Sequence, residues 1–461
     1  MKSRIERDSM GEVEVPAEAL YGAQTQRAVD NFTIRRRPMP AGFIRSLARL
    51  KGAAALANRE CGALDGAIAS ALDEAAASVA AGEYPDQFPV PVFQTGSGTS
   101  TNMNMNEVLA RLAAEGSGQP VHPNDHANCS QSSNDVIPST IQVTAAVGLQ
   151  EQLRPAVRTL AETIRARAAE LASVVKTGRT HLMDAMPLTL GQELGAWACQ
   201  LEESDARFSD LLVRLVQLPI GGSAVGTGVN VPDGFPQALV KQLRERVGLP
   251  FSVAENPFAR MAGQDVAVEC SACLRGLALV LGKINNDLRW MSSGPLAGLA
   301  EIRLEALQPG SSIMPGKVNP VLPEAVLMAV AEVVGNDAAI ATAGNSGNFQ
   351  LNVMLPLIAD RLVDSIELLA GACSASARTV EGFSVNREQL DRSLASNPIL
   401  VTALNAAIGY EAAAAIAKRS YAEGRPVLDV AEEETSLPRE ELAELLDPMR
   451  LTNAKVRSAG E

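Results

Sequence analysis

Residues 151–176 read EQLRPAVRTLAETIRARAAELASVVK, and the apolar side chains Leu153, Val157, Leu160, Ile164, Ala168, Leu171 and Val175 recur there every three or four positions. That is the spacing of one buried stripe on a helix, whereas a half-buried strand repeats every second residue. Comparable long segments begin near Gly191, Val266, Pro320 and Val353, and at helical rise each extends roughly 35–40 Å. Rods of that length pack most simply as an elongated antiparallel bundle. The stretch AVLMAVAEVVGNDAAIATAG, residues 325–344, is apolar on more than one face, which predicts a helix covered by other chains and hence an oligomer.

Outward from this core the pattern changes on both sides. The expected organisation is mainly α, in three parts: a mixed, mostly helical N-terminal domain over 1–131 with binding loops, a central long-helix bundle over 132–383, and a small helical C-terminal domain over 384–461. The first part carries Gly- and Pro-punctuated loops, YPDQFPVPVFQTGSGTSTNMNMNE and EGSGQPVHPNDHAN, of the kind that hold binding groups more often than core. The last part includes a helix expected near 400–422 and the acidic run AEEETSLPREELAELL.

Composition agrees with close-packed helices, since 46% of the 461 residues are hydrophobic but only 3% aromatic. The formal net charge of -13 argues against nucleic acid or an anionic membrane as partner. A small anionic substrate then needs a locally positive pocket. Six scattered cysteines and an N-terminus, MKSRIERDSM, without an apolar signal region point to the cytoplasm. Cys270 and Cys273 form a CxxC on an expected helix with no second pair, so they read as packing rather than as a metal or redox site. No apolar run is expected to be long enough to span a bilayer.

The densest chemistry lies in GSSIMPGKVNP, residues 310–320, where Gly310, Pro315 and Gly316 break helix while Ser311, Ser312, Lys317 and Asn319 crowd together. Packing does not need that combination. Asn319 is expected to cap the following helix with Pro320 in its first position, which sets the loop at a helix N-terminus that favours an anion. Nearly letter for letter, this loop resembles the signature of the fumarase and aspartase superfamily. TGSGTSTNMNMNE, HPNDHANCSQSSND, KTGRTHLMDAMPLTLGQE, GGSAVGTGVN, NDLRWMSSGP and SGNFQLNV resemble further blocks of it, so the likeness covers essentially the whole chain.

Within the superfamily, GRTH, the second serine of SQSSND, HPND and MPGK resemble class II fumarases, whereas aspartases typically carry glutamine, threonine and MPAK. Aspartate ammonia-lyase, or another fumarate-releasing lyase, is the alternative; VLPEAV and QLNVM are shared with it. The resemblance implies fumarate hydration to L-malate by anti addition through an aci-carboxylate, without cofactor or metal. It implies a homotetramer whose active sites are each built from three chains, acting on a small dicarboxylate.

By the same resemblance Ser311 is the general base. His181 positions or protonates the departing water with Glu324 as its carboxylate partner, and Lys317 is the cation that meets developing charge. Ser97, Gly98, Thr99, Ser132, Ser133, Asn134, Thr180, Ser312, Val318 and Asn319 are implied to bind substrate. His122, Pro123, Asn124 and Asp125 match a second anion site, although Gln119 and Pro120 stand where some relatives carry a basic residue, and a structural loop role is the other reading. His126 reads as structural. Arg260, Ala127 and Cys129 depart from the pattern without touching the implied catalytic groups. A non-catalytic relative would have lost Ser311, Lys317 or His181, and all three are present. The Gly-rich stretches TGSGTS and GGSAVGTGVN follow no expected strand and lack nucleotide-loop spacing, so they read as sites of tight backbone approach.

Overall fold

The computed structural model describes residues 2–452, and the described chain is mainly helical, with its strands in two-stranded pairs. Strand β1 (Ser3–Asp8) pairs antiparallel with β2 (Gly11–Pro16) to form an N-terminal hairpin. The helices that position the site are α1 (Ala41–Glu60), α2 (Thr99–Ser117), α3 (Ser133–Gly148) and α4 (Arg154–Glu170). Strands β3 (Val175–Thr180) and β4 (Met183–Thr189) follow as an antiparallel hairpin. The four expected long rods are α5 (Leu190–Leu215), α6 (Asp265–Met291), α7 (Val321–Gly344) and α8 (Leu355–Gly382).

The residues group into two compact units. The first comprises residues up to Pro155, Ser204–Ala278 and Ala329–Gly371. Its centre is α3, buried continuously from Asp135 to Gly148 because VIPSTIQVTAAVG presents apolar or small side chains on every face. Polar ties fix its neighbours. Gln142 donates to the Leu215 and Gln217 carbonyls at 3.2 and 3.0 Å, Ser271 of α6 donates to Asp337 of α7 at 2.7 Å, and Asn336 of α7 donates to Asp364 of α8 at 2.9 Å. Each bond satisfies a group that would be costly to bury alone.

The second unit comprises Ala156–Glu203, Leu279–Met328 and the residues from Ala372 onward. In it, buried Asn285 of α6 donates to Ser376 of α8 at 2.9 Å. Short helices after Asn386 close a core of their own around Leu404, Ile416, Val430 and Leu442, against which Val175 packs.

Three expectations require correction. The helical stripe ends at Glu170, and Val175 begins a strand, because Val174, Val175, Thr177 and Thr180 are β-branched and find pairing partners in 183–189. The helix expected near 400–422 is broken at Gly409, whose φ of 82° separates Asn405–Ile408 from Tyr410–Glu423. Finally, α7 is long and apolar enough to cross a membrane by length and composition, and 28% of its apolar window is buried within this chain. Glu324, Glu332 and Asp337 interrupt its apolar run without lowering its average much, which is why a search for unbroken runs passes over it.

Candidate active site

The first unit supplies a row of hydroxyls at two helix starts. Thr99 opens α2 and Ser133 opens α3, and their side-chain oxygens lie 2.7 Å apart, with Ser97 Oγ 2.7 Å from Thr99 Oγ1. Gly98 precedes α2 with φ +75°, and a Cβ there would stand 2.9 Å from the Ile137 side chain. Only glycine lets the loop approach α3 this closely. Ser132 caps α3: its Oγ accepts from the Asn134 amide at 3.3 Å while Asp135 Oδ1 accepts from the Ser132 amide at 3.0 Å. Asn134 Nδ2 donates to the Ala224 carbonyl at 2.8 Å, which ties in GGSAVGTGVN. Two helix N-termini with free hydroxyl capacity make a place suited to a carboxylate.

Two charged residues lie behind this row. Asp135 is fully buried, and its other carboxylate oxygen accepts from the Gly221 and Ser223 amides, each at 3.0 Å. Burial pushes its carboxyl up to about 6 against the pull of these amides and of Lys51. Lys51 of α1 is 2% exposed, and burial brings its ammonium down to about 7, opposed by the charge of Asp135. Neither was singled out from the sequence. The S-x-x-D spacing of Ser132 and Asp135 is the capping-box signal that could have found one of them.

The second unit holds the remaining groups. His181 and Leu182 are the two turn residues between β3 and β4, with Thr180 opposite Met183. Their φ values of 55° and 61° are what a two-residue type I′ turn requires, a conformation usually left to Asn-Gly. Two side-chain-bearing residues held there, one of them an exposed histidine, mark strain of the sort found at functional sites. An ion network underlies the hairpin. Lys176 Nζ stands 2.7 Å from Glu193 and 2.9 Å from Glu301, and Arg179 stands 2.7 Å from Glu301.

The signature loop is closed at its neck. The Gly310 amide donates to the Lys317 carbonyl at 2.8 Å, and Asn319 Nδ2 donates to the Gly310 carbonyl at 2.7 Å. Asn319 therefore pins the loop; among the described residues no α7 amide donates to its side chain, and Pro320 precedes the helix, which starts at Val321. Inside the loop Ser311 Oγ accepts from the Ile313 and Met314 amides at 3.3 and 3.1 Å. Donors to this oxygen favour its deprotonated form. Ser312, Lys317 and Val318 are exposed, and among the described residues Lys317 has no ion pair. Glu324 is exposed in the first turn of α7, and no hydrogen bond joins it to His181 among the described residues.

Back in the first unit, His122 begins a π-turn, Pro123–Ala127, and its Nδ1 accepts from the Asp125 amide at 3.1 Å. Asn124 and Asp125 are exposed there, and His126 Nδ1 accepts from the His122 amide at 2.9 Å, so that histidine braces the turn. Arg260 faces Asp265 at 3.5 Å, Ala127 is buried, and Asn58 donates to the Cys129 carbonyl at 2.9 Å. Cys270 is buried and Cys273 half-buried on α6, and burial raises both thiols.

Residues 11–335 match the protein family described as Lyase, and residues 400–453 match the family described as Fumarase C C-terminus. The chain is 55% identical over 451 residues to "Fumarate hydratase class II 2" of Pseudomonas aeruginosa, covering 98% of each. It is 50% identical over 459 residues to "Fumarate hydratase class II" of Thermus thermophilus, again covering 98% of each. Among solved structures it resembles the class II fumarase of Schistosoma mansoni with a TM-score of 0.94 at 36% identity, covering 98% of this chain and 99% of that one. It also resembles a "fumarate lyase:delta crystallin" of Brucella melitensis, with a TM-score of 0.93 at 40% identity over 98% of this chain and 100% of that one. With likeness of this extent, and with the signature loop, the GRTH hairpin and the hydroxyl row all in place, the chain belongs to the class II fumarase family.

Proposed function

We propose that this chain catalyses the reversible hydration of fumarate to L-malate. The observation that carries the reading is its near-full-length likeness to class II fumarate hydratases at 50–55% identity. In the elimination direction Ser311, as its alkoxide, takes the proton from the carbon beside one carboxylate. The electron pair moves onto that carboxylate as an aci-carboxylate, and the intermediate collapses to the double bond as hydroxide leaves from the next carbon. His181, with Glu324 behind it, gives that hydroxide a proton, so water departs. Ser311 has then gained one proton and His181 has lost one, and exchange with solvent restores both.

The energetic burden is the second negative charge of the intermediate. Lys317 is the cation to meet it, and at an effective dielectric of about 20 a charge 4 Å away contributes roughly 4 kcal/mol. Thr99, Ser132, Ser133, Asn134 and Asn319 are the donors, while Ser97, Gly98, Thr180, Ser312 and Val318 complete the binding surface. The Ile313 and Met314 amides support the deprotonated Ser311.

The chain works as a homotetramer in the cytoplasm, each site drawing on three subunits. The exposed apolar face of α7 and the exposed tips Leu182, Met183, Ile313 and Phe349 support that arrangement, as does the lack of a His181 partner among the described residues. In this reading the chain divides into domains over 1–131, 132–383 and 384–461, and His122, Pro123, Asn124 and Asp125 form a second anion site. The test follows ultraviolet absorbance as purified protein meets L-malate or L-aspartate without added metal or nucleotide. Fumarate formed from malate alone supports the hydratase; fumarate from aspartate alone would replace it with an ammonia-lyase.

A further inference from the structure

We infer that Lys51 is a positioning residue for the substrate-carboxylate turn Gln131–Asn134, acting through Asn128. The inference rests on the hydratase reading of that turn. Lys51 lies on α1, outside every segment that resembles a family signature, and burying an ammonium is costly where an apolar side chain of similar length would pack freely. What it touches explains its presence. Its Nζ donates to Asn128 Oδ1 at 3.0 Å, and the same oxygen accepts from Asn102 Nδ2 at 3.0 Å and Asn106 Nδ2 at 3.1 Å. Asn102 and Asn106 are buried, and their own carbonyl oxygens have no partner among the described residues. Three donors thus converge on one acceptor, at the expense of other pairing, which fixes Asn128.

Asn128 passes that constraint forward, since its Nδ2 donates to the Gln131 carbonyl at 3.2 Å, one residue before Ser132. The turn is held from its other side by Asp135, which accepts from the Ser132 amide and from the amides of Gly221 and Ser223. Lys51 therefore reaches the turn through Asn128, while Asp135 holds it from the other side by its own amide bonds.

The test compares wild type with Lys51→Met and Asn128→Ser, reading kcat and KM for L-malate, the competitive inhibition constant of unreactive succinate, and the melting temperature. For folded Lys51→Met we expect KM and the succinate constant to rise together by about tenfold while kcat falls less than about threefold, the pattern of lost carboxylate positioning. Asn128→Ser keeps the Lys51 charge but removes both the Oδ1 on which Lys51, Asn102 and Asn106 converge and the Nδ2 bond to Gln131, so it should move the same two constants by at least about threefold, and it carries the test if Lys51→Met does not fold. Unchanged KM and succinate binding in either folded variant, or a fall in kcat alone, would overturn the proposal. A wild type inert toward L-malate would instead sink the hydratase reading beneath it.

Discussion

Replacing Glu301 by Gln removes one charge from beneath the GRTH hairpin and tests whether that charge holds His181 in place. Glu301 is 2% exposed and Lys176 3%, and the carboxylate stands within 2.7 to 2.9 Å of Arg179 and Lys176. Neither oxygen is in hydrogen-bond geometry, so the attraction is one of charge. At an effective dielectric of about 20, each pair near 3 Å contributes about 5 kcal/mol before desolvation, and breaking a buried pair typically costs about 3–5 kcal/mol net. Arg179 is 19% exposed and recovers some hydration, which puts the loss near 3 kcal/mol. The backbone of Glu301 is anchored separately, its amide to the Met291 carbonyl at 2.8 Å and its carbonyl to the Asn386 amide at 2.9 Å, so the loss should stay local.

Native-state hydrogen exchange reads this directly. Amides of Lys176–Thr180 should exchange about a hundredfold faster in Glu301→Gln, since 1.4 kcal/mol is a factor of ten, while those of Val427–Glu434 keep their rates. Turnover should fall at least tenfold as His181 loses its fixed approach. Lys176→Met combined with Glu301→Gln should lose less than the sum of the two single changes, because the charges lost belong to one network. Unaltered hairpin exchange, or strict additivity in the double variant, would refute the reasoning.

Ser311→Ala should reduce kcat roughly 10²–10⁴-fold with circular dichroism unchanged; turnover within twofold of wild type would remove Ser311 as the base. Gly310→Ala sets a methyl 2.5 Å from the Lys317 carbonyl and 2.9 Å from the Asn319 amide. The loop neck must open, so kcat should drop at least about tenfold while the melting temperature of this exposed loop variant stays within about 2 °C; a large fall in melting temperature would contradict that division. Asp135 titrates in the folded chain at about 6 against 3.8 for an ordinary aspartate. Because the folded value is the higher, its contribution is fully present below pH 3.8 and is lost as pH rises through 6, about 3 kcal/mol in all. Denaturant midpoints should therefore fall less steeply between pH 4 and 6 in Asp135→Asn than in wild type, and parallel slopes would sink the assignment.

Much of this was legible in the sequence because local pattern and tertiary role coincide. Long helices announce themselves by their stripes, and GSSIMPGKVNP stands out because helix breakers, serines and a lysine have no joint packing use. The hairpin was hidden by coincidence of phase. Val175 falls on the helical stripe of α4 and is also the first residue of β3, so period alone assigns it to the wrong element. Asn319 was misread for a related reason: an Asn-Pro pair before a helix is a cap by local rule, but the Gly310 carbonyl, nine residues earlier, is the acceptor its amide reaches.

Charge was the least legible layer. A net charge of -13 describes the whole chain, whereas a dianion meets only what the site places near it. The starts of α2 and α3 contribute partial positive charge through backbone geometry, and buried Lys51 of α1 lies behind the second of them, joined to it through Asn128. Neither source can be counted from composition. Long-range polar contacts such as Lys51 to Asn128 exist only once the helices have packed, so the electrostatics of the site are a product of the fold, and the signature residues are one part of it.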